Sequence, residues 1–332
     1  MTRLRGDEAP HVRPHGVGDD AVLTVFRVPP ELAGMRLDQF LKGEFRRTSR
    51  TRTQAIIRVS AFDAAGDRLR PNDRLRAEQR IFLWRPAWDE EAVPTHIPIL
   101  YEDDDLLVID KPAGLPVHPT ARYHKNTVVK LLEAERGGAR VLLGHRLDRE
   151  TSGVLFLAKN AAADRALKLS FQERQIEKRY LALTFGVPER ERFRVELPLE
   201  LDPTSPTRIK MRVAAPGTGL SAATRFTVLE AREDRALVAC DLETGRQHQI
   251  RVHLAATGTP IVGDKLYAFD EGYFTRDRDG EGTEEDRERL VLPRHALHAS
   301  RVALEHPVTG APLVVEAELP EDMAALWASW AG

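Results

Sequence analysis

Across residues 98–307, apolar runs of strand length and short amphipathic segments follow one another without a regular strand-helix-strand repeat. This irregularity constrains the fold more than any other feature, because a doubly wound parallel sheet needs a crossover helix after each strand. The runs at 106–109, 154–157, 180–185, 224–229 and 236–242 instead predict an α+β domain on a mixed, mainly antiparallel sheet. Residues 230–235 separate the last two runs and are expected to connect them as a hairpin. Helices are predicted at 160–171, capped by Asn160, and at 248–256, ended by Gly258. The stretch 270–289 is charged, contains glycine and has little to bury, so a mobile surface loop is expected there.

At 332 residues the chain is too long for one ordinary domain. Residues 1–21 are polar and contain Gly and Pro, the pattern of a disordered tail. Residues 22–90 read as a small first domain and 91–332 as a larger second one. In the first, Leu37, Phe40 and Leu41 have the spacing of a buried helical stripe, and Thr51 with Gln54 fits a capping box opening a second helix. Short strands are expected at 73–76 and 80–84.

A net charge of −2, from 49 basic and 51 acidic residues, gives the whole molecule no attraction for nucleic acid, so any such affinity must be local. Lys42, Arg46, Arg47, Arg50, Arg52 and Arg58 concentrate positive charge with Glu44 the single acid among them, although such a run alone reads as a solvated helix face. The single cysteine, Cys240, excludes an intrachain disulfide framework and a multi-cysteine zinc site, and its apolar neighbours make it a packing residue. With no apolar run of membrane-spanning length and no signal-peptide stretch, a cytoplasmic protein without a membrane partner is expected.

The densest cluster of chemically able residues is Gly144-His145-Arg146-Leu147-Asp148-Arg149-Glu150-Thr151-Ser152-Gly153, a loop entering an apolar strand. Taken alone, Asp148 could pair with Arg146 or Arg149, and Thr151-Ser152-Gly153 could form a turn. The whole string resembles the RluA-type pseudouridine synthase signature, His-Arg-Leu-Asp-x-x-Thr-Ser/Thr-Gly. The resemblance continues in order through Asp110-Lys111-Pro112, Lys178-Arg179-Tyr180, Thr244-Gly245-Arg246-Gln247-His248-Gln249-Ile250-Arg251, Gly263-Asp264-Lys265-Leu266-Tyr267 and Leu297-His298-Ala299 to His306-Pro307. Before it, Arg36-Leu37-Asp38-Gln39-Phe40-Leu41 and Ser49-Arg50-Thr51 resemble an S4-like RNA-binding module, but residues 59–66 depart from that module's usual glycine, valine and Asn-Gly run.

What the resemblance implies can be set beside what the reaction needs. Detaching uracil from ribose and rejoining it through C5 needs a placed nucleophile and a pocket that retains the free base. The resemblance makes Asp148 the nucleophile, attacking either ribose or base. It makes Arg251 the cation that keeps Asp148 ionised in an enclosed site, and Tyr180 the ring stacked on the target base. Arg146 is implied to fill the space left by an extruded uridine, with His145, Lys111 and Leu254 beside the substrate. Without the resemblance, Arg251 reads as a solvated helix residue and Tyr180 as a half-buried strand residue.

The resemblance further implies no cofactor and no metal, with structured RNA as partner and a monomeric enzyme. Ribosomal RNA is the first expectation and transfer RNA the second. One rival reading is a metal hydrolase using His145, Asp148, His248 and His253, but His248 and His253 stand five apart, not at the i, i+4 spacing of helical zinc ligands. The other is a non-catalytic RNA-binding protein with a synthase-like body.

Overall fold

The computed structural model describes residues 3–4, 11–18, 21–45, 48–86, 90–120, 123–173 and 175–331. The chain divides into two compact units, Met1–Asp89 and Glu90–Gly332.

The first unit holds strands β1 (Arg3–Leu4) and β2 (Val22–Arg27), helices α1 (Leu37–Glu44) and α2 (Arg50–Ser60), and strands β3 (Ala61–Phe62) and β4 (Arg80–Arg85). The strands form an antiparallel sheet in the order β1-β2-β4-β3. Leu37, Phe40 and Leu41 of α1 pack with Ile57 of α2 against Phe26, Ile81 and Leu83. Between the helices lies the fully buried carboxylate of Asp38, which accepts from Arg36 at 3.0 and 3.1 Å, Arg50 at 3.2 Å and Gln54 at 2.7 Å.

Three expectations for this unit are corrected. Ser49, not Thr51, caps α2: its hydroxyl accepts from the Arg52 amide at 3.2 Å, and Gln54 is engaged by Asp38 and closes no capping box. Residues 73–76 form no strand, because the Leu37 and Leu75 amides bond across to Asp73 and Met35 and leave only an isolated Arg36–Arg74 bridge. The expected tail also has described residues that pack: β1 pairs with β2, Val12 donates to the Ala64 carbonyl at 3.0 Å, and the His11 ring sits 5.3 Å from Phe82. The polar composition of the tail hid these few anchors. Arg46 and Arg47 lie outside the described residues.

The second unit contains strands β5 (Ile99–Glu102), β6 (Leu106–Lys111), β7 (Leu142–Leu143), β8 (Ser152–Ala158), β9 (Glu177–Phe185), β10 (Arg192–Glu196), β11 (Leu199–Leu201), β12 (Met211–Val213), β13 (Ala223–Arg232), β14 (Arg235–Leu242), β15 (Leu297–Glu305) and β16 (Pro312–Glu316). Its helices are α3 (Val128–Glu135), α4 (Ala161–Gln172), α5 (Gln249–Ala256), α6 (Gly272–Asp279), α7 (Glu284–Leu290) and α8 (Glu321–Ser329). The main sheet runs β10-β13-β14-β9-β15-β8-β6-β5 and is antiparallel except where β15 meets β8, giving the α+β, mainly antiparallel architecture. β11 and β12 form a separate hairpin.

Every residue of β8 is buried, because both faces of the sheet are covered at its centre. Leu155 and Leu157 pack on one side with Ile109 and Leu183, while Val154 and Phe156 face Leu167 of α4 on the other. Burial of each such side chain stabilises the fold by roughly 1.5–3 kcal/mol. Cys240 is among the buried packing residues, its thiol pushed well above its ordinary range by burial. β13 and β14 continue through the expected connection, with Arg232 facing Arg235, so the turn is shorter than residues 230–235.

The expected loop at 270–289 is corrected too: it carries helices α6 and α7. Its charges are satisfied locally. Thr283 and Asp286 form a capping box, Arg276 donates to Asp286 at 2.7 Å, and the Arg289 guanidinium lies 4.8 Å from the centre of the Phe269 ring. Among the described residues, no helix is long and apolar enough to cross a membrane.

Candidate active site

The loop 144–151 is fixed at both ends by glycines that admit no side chain. A Cβ on Gly144 would stand 2.3 Å from Leu167, and one on Gly153, whose φ is +106°, would stand 2.2 Å from the Ala299 carbonyl oxygen. The parallel approach of β15 to β8 therefore requires the glycine that closes the Thr-Ser-Gly run. Between these points Leu147 is buried in the core, the Thr151 amide donates to the Asp148 carbonyl at 3.2 Å, and the Asp148 carboxylate turns into a cavity of about 2070 Å³.

Asp148 pairs with neither neighbouring arginine. Arg149 donates to the Tyr123 hydroxyl at 2.8 Å, and Arg146 is exposed with no ion pair to another described residue. Its partner is Arg251 of α5, whose Nη1 donates to Asp148 Oδ2 at 3.0 Å. The other edge of that guanidinium is gripped by Asp264: Nε donates at 2.6 Å and Nη2 at 2.8 Å. Asp264 is fully buried and also accepts from the amides of Leu266 and Tyr267. One cation thus bridges two carboxylates, and its buried fork has a single available orientation.

Local chemistry sets the start of α5. Gln249 accepts from Thr244 at 2.7 Å and from the Arg246 amide at 3.0 Å, and donates to Ala223 and Thr224, so the chain turns sharply into the helix. His248 at the N-cap has φ +55°, an uncommon conformation outside glycine. It directs Nε2 to 3.7 Å from Asp148 Oδ2 and Nδ1 to 2.7 Å from the Tyr267 hydroxyl. Because the Met211 amide already donates to that hydroxyl, the Tyr267 O–H is best used on Nδ1, which leaves the His248 proton on Nε2, facing Asp148.

Burial opposes ionisation of Asp148, but His248 and His295, protonated in the acid range where the carboxyl titrates, and Arg251 outweigh it and hold the carboxyl at about 2. Burial pushes His248 down to about 4 and His295 below its ordinary value, so near neutral pH both rings are uncharged and Arg251 is the standing cation. Tyr180 of β9 lines the same cavity. Burial and the Asp148 charge raise its pKa, so its phenol is neutral, and its hydroxyl makes no hydrogen bond to another described residue. Behind the loop, Glu150 accepts from Lys265 at 2.7 Å and from the His295 amide at 3.2 Å, and Thr151 bonds His295 at 2.7 Å.

Asp148, Tyr180, Arg251, Arg146 and His145 therefore meet around one cavity. His145 contributes as a wall: its ring packs 4.7 Å from Phe171 and its Nε2 accepts from the Phe156 amide. Lys111 and Leu254 do not reach the substrate space and are corrected. Lys111 is fully buried, donating to the carbonyls of Pro112 at 2.8 Å, Leu115 at 2.9 Å and Arg149 at 3.0 Å, which pins the residue after Asp148. Burial, with a further contribution from Arg294, pushes its amine down to about 7 against the pull of Asp148. Leu254 is fully buried in the core, one turn after the cavity-lining Ile250. The roles of Asp264, His248, Tyr267 and Glu150 were not read from the sequence, since nothing in their spacing announces the partners they find.

His248 and His253 do not share a site. His253 is tied to Thr224 at 3.0 Å and to the Leu197 carbonyl at 3.1 Å, and among the described residues no group of three or more His, Cys, Asp or Glu could hold a metal ion.

The family model described as RNA pseudouridylate synthase matches residues 105–256, a span that includes the Asp148 loop and α5. The chain is 37% identical over 313 residues to "Ribosomal large subunit pseudouridine synthase D" of Nitrosomonas europaea, covering 90% of this chain and 85% of that one. The chain belongs to the RNA pseudouridylate synthase family. It is thus an RNA pseudouridine synthase of RluA type, an isomerase. A similarly named protein of Xanthomonas campestris pv. campestris is 35% identical, with 92% of each chain covered. Among solved structures, "Human RNA Pseudouridylate Synthase Domain Containing 4" is 31% identical with a TM-score of 0.53, covering 68% of this synthase and 90% of that chain.

Proposed function

We propose that this synthase isomerises specific uridines of large-subunit ribosomal RNA with Asp148 as its nucleophile. The observation that carries the reading is a carboxylate kept ionised by Arg251 at the wall of a cavity that also presents a neutral tyrosine. In the reaction the N1–C1′ bond breaks, a C5–C1′ bond forms, C5 loses a proton and N1 gains one. Atoms and electrons balance within the nucleotide, so no external oxidant, reductant or group donor is needed. Asp148 supplies the attacking electron pair and then departs, as a carboxylate of low basicity can. Tyr180 supports the freed base with its ring. Arg146, exposed and without an ion pair to another described residue, takes the space of the extruded uridine, whose unstacking costs a few kcal/mol.

The ribosomal target is supported by the names of the relatives from Nitrosomonas europaea and Xanthomonas campestris, each matched over most of its length. We place the action in the cytoplasm and read the first unit as an S4-like RNA-binding domain, with Arg52 and Arg58 exposed on α2. The test is to map pseudouridines across total RNA from cells with and without the gene. Loss confined to large-subunit RNA supports the assignment, loss confined to transfer RNA replaces the target, and no loss anywhere overturns the reading.

A further inference from the structure

The sheet carries a row of charge that its own stability does not explain. Strand register places Arg194 of β10 opposite Arg225 of β13, Arg225 opposite Asp241 of β14, Asp241 opposite Arg179 of β9, and Arg179 opposite Arg301 of β15. Residues directly opposite share a face, so the five side chains form one line across five adjacent strands. With neighbouring strands about 4.8 Å apart, the line spans roughly 19 Å.

Two of its four steps, Arg194 to Arg225 and Arg179 to Arg301, set like charges against each other, an arrangement that destabilises a sheet. Five acids meet the four arginines, but only Asp241, Glu243 and Glu177 line the cavity with them. Asp241 accepts two bonds from Arg179, at 2.8 and 3.0 Å, while Glu243 accepts from Arg194 at 2.9 Å and pairs with Arg225 at 3.2 Å. Arg194 also meets Glu196, and Arg301 meets Glu177 and Glu316, all three acids largely exposed. The arginines stay between 31% and 66% exposed, and exposed pairs of this kind contribute little, so their partners can be exchanged. All five residues line the cavity that contains Asp148 and Tyr180.

We propose that this row is a phosphate track, which binds the backbone of the substrate RNA as it leaves the Asp148 cavity. The inference rests on the RNA reading of that cavity and deepens it. Asp241 and Glu243 hold the guanidinium forks in place until phosphate oxygens take over, and the like-charge repulsion is relieved when RNA arrives. Each phosphate contact releases counterions and makes affinity fall with salt.

The experiment measures binding of a labelled, uridine-containing stem-loop transcript to the full chain over a series of salt concentrations. Arg225→Gln and the double variant Arg194→Gln/Arg225→Gln are compared with Arg287→Gln, which removes the same charge from α7, away from the row. The expected result is a drop in the log–log salt slope of roughly 0.7–0.9 for each row arginine removed and none for Arg287→Gln, with no fall in thermal midpoint. An unchanged slope in the double variant, or an equal change in Arg287→Gln, overturns the track. Folding failure is guarded against by the single variant, since Arg225 is 66% exposed. The two readings fail differently: a wild-type chain that forms no pseudouridine in cellular RNA defeats the proposed function, whereas the track is judged by the slope alone.

Discussion

Arg251 reaches Asp148 with one nitrogen, 3.0 Å from Oδ2, while its other two are held by Asp264. The guanidinium is nearly inaccessible and cannot swing away without breaking two buried charge-assisted bonds. Asp264 therefore fixes the direction from which Asp148 is neutralised. No described residue bonds Asp148 Oδ1, the oxygen that the proposed function offers to the substrate.

Replacing Asp148 with Asn preserves shape and removes the charge. The variant is expected to bind RNA as wild type does and to form no pseudouridine in a single-turnover assay read by nucleoside chromatography. Product at any appreciable rate would sink the assignment of the nucleophile.

Arg251→Met leaves the buried Asp264 and the half-buried Asp148 without their cation, and loss of one partner from a buried pair such as Arg251–Asp264 costs about 3–5 kcal/mol of stability. The pH dependence also changes. In the wild type Asp148 is held at about 2, below its ordinary 3.8, so it adds stability above pH 3.8 that is lost as pH falls toward 2. Without Arg251 the carboxyl keeps only His248 and His295 against burial, so its pKa moves up from about 2. The variant is then expected to have less of the stability that the wild type loses between pH 3.8 and 2. Thermal unfolding at a series of pH values checks this, and parallel curves for the two proteins would mean that Arg251 does not control Asp148.

Tyr180→Phe keeps the ring and removes a hydroxyl that has no hydrogen bond to another described residue. Stability should change by less than about 1 kcal/mol, since no bond made within the folded chain is lost. RNA binding is expected to persist while product formation slows. If binding weakens and turnover at saturating RNA does not, the hydroxyl is an anchor for substrate only.

The contiguous part of the site was legible. Asp148, Arg146 and His145 share one loop, and Tyr180 and Arg251 were named by blocks that kept their order along the chain. What escaped reading was direction. Lys111 ends a strand beside a proline, a position that suits a cavity rim, yet its amine turns inward because three carbonyls of the following turns converge on it. Leu254 stands one helical turn beyond Ile250, but α5 tilts it into the core. Residues 270–289 looked too polar to order, because composition does not reveal that Arg276, Asp286 and Tyr273 satisfy one another.

Lys111→Met tests the inward reading. The change keeps the stem and removes the donor of three carbonyl contacts, and each buried carbonyl left unpaired costs about 1–3 kcal/mol. A clear fall in thermal midpoint is expected, with turnover reduced because the Arg149 carbonyl beside Asp148 keeps only the Gly114 amide, at 2.8 Å, of its two donors. Unaltered stability with weaker RNA binding would return Lys111 to the substrate.

The last expectation separates the arginines of the first unit from one another. Arg50 is bonded to Asp38 at 3.2 Å and helps join α1 to α2, so Arg50→Gln should lower stability. Arg52 and Arg58 are exposed and carry no ion pair to another described residue, so Arg52→Gln/Arg58→Gln should leave stability unchanged. If both touch phosphates, the slope of log affinity against log salt should fall by roughly 1.4–1.8 in the double variant, since each contact contributes about 0.7–0.9. Filter binding of a labelled stem-loop RNA to the full chain, beside thermal unfolding of each variant, reads both effects. A slope equal to wild type in the double variant would make the exposed face of α2 a solvated surface, with Arg50 its structural arginine beside Arg36 on the buried Asp38.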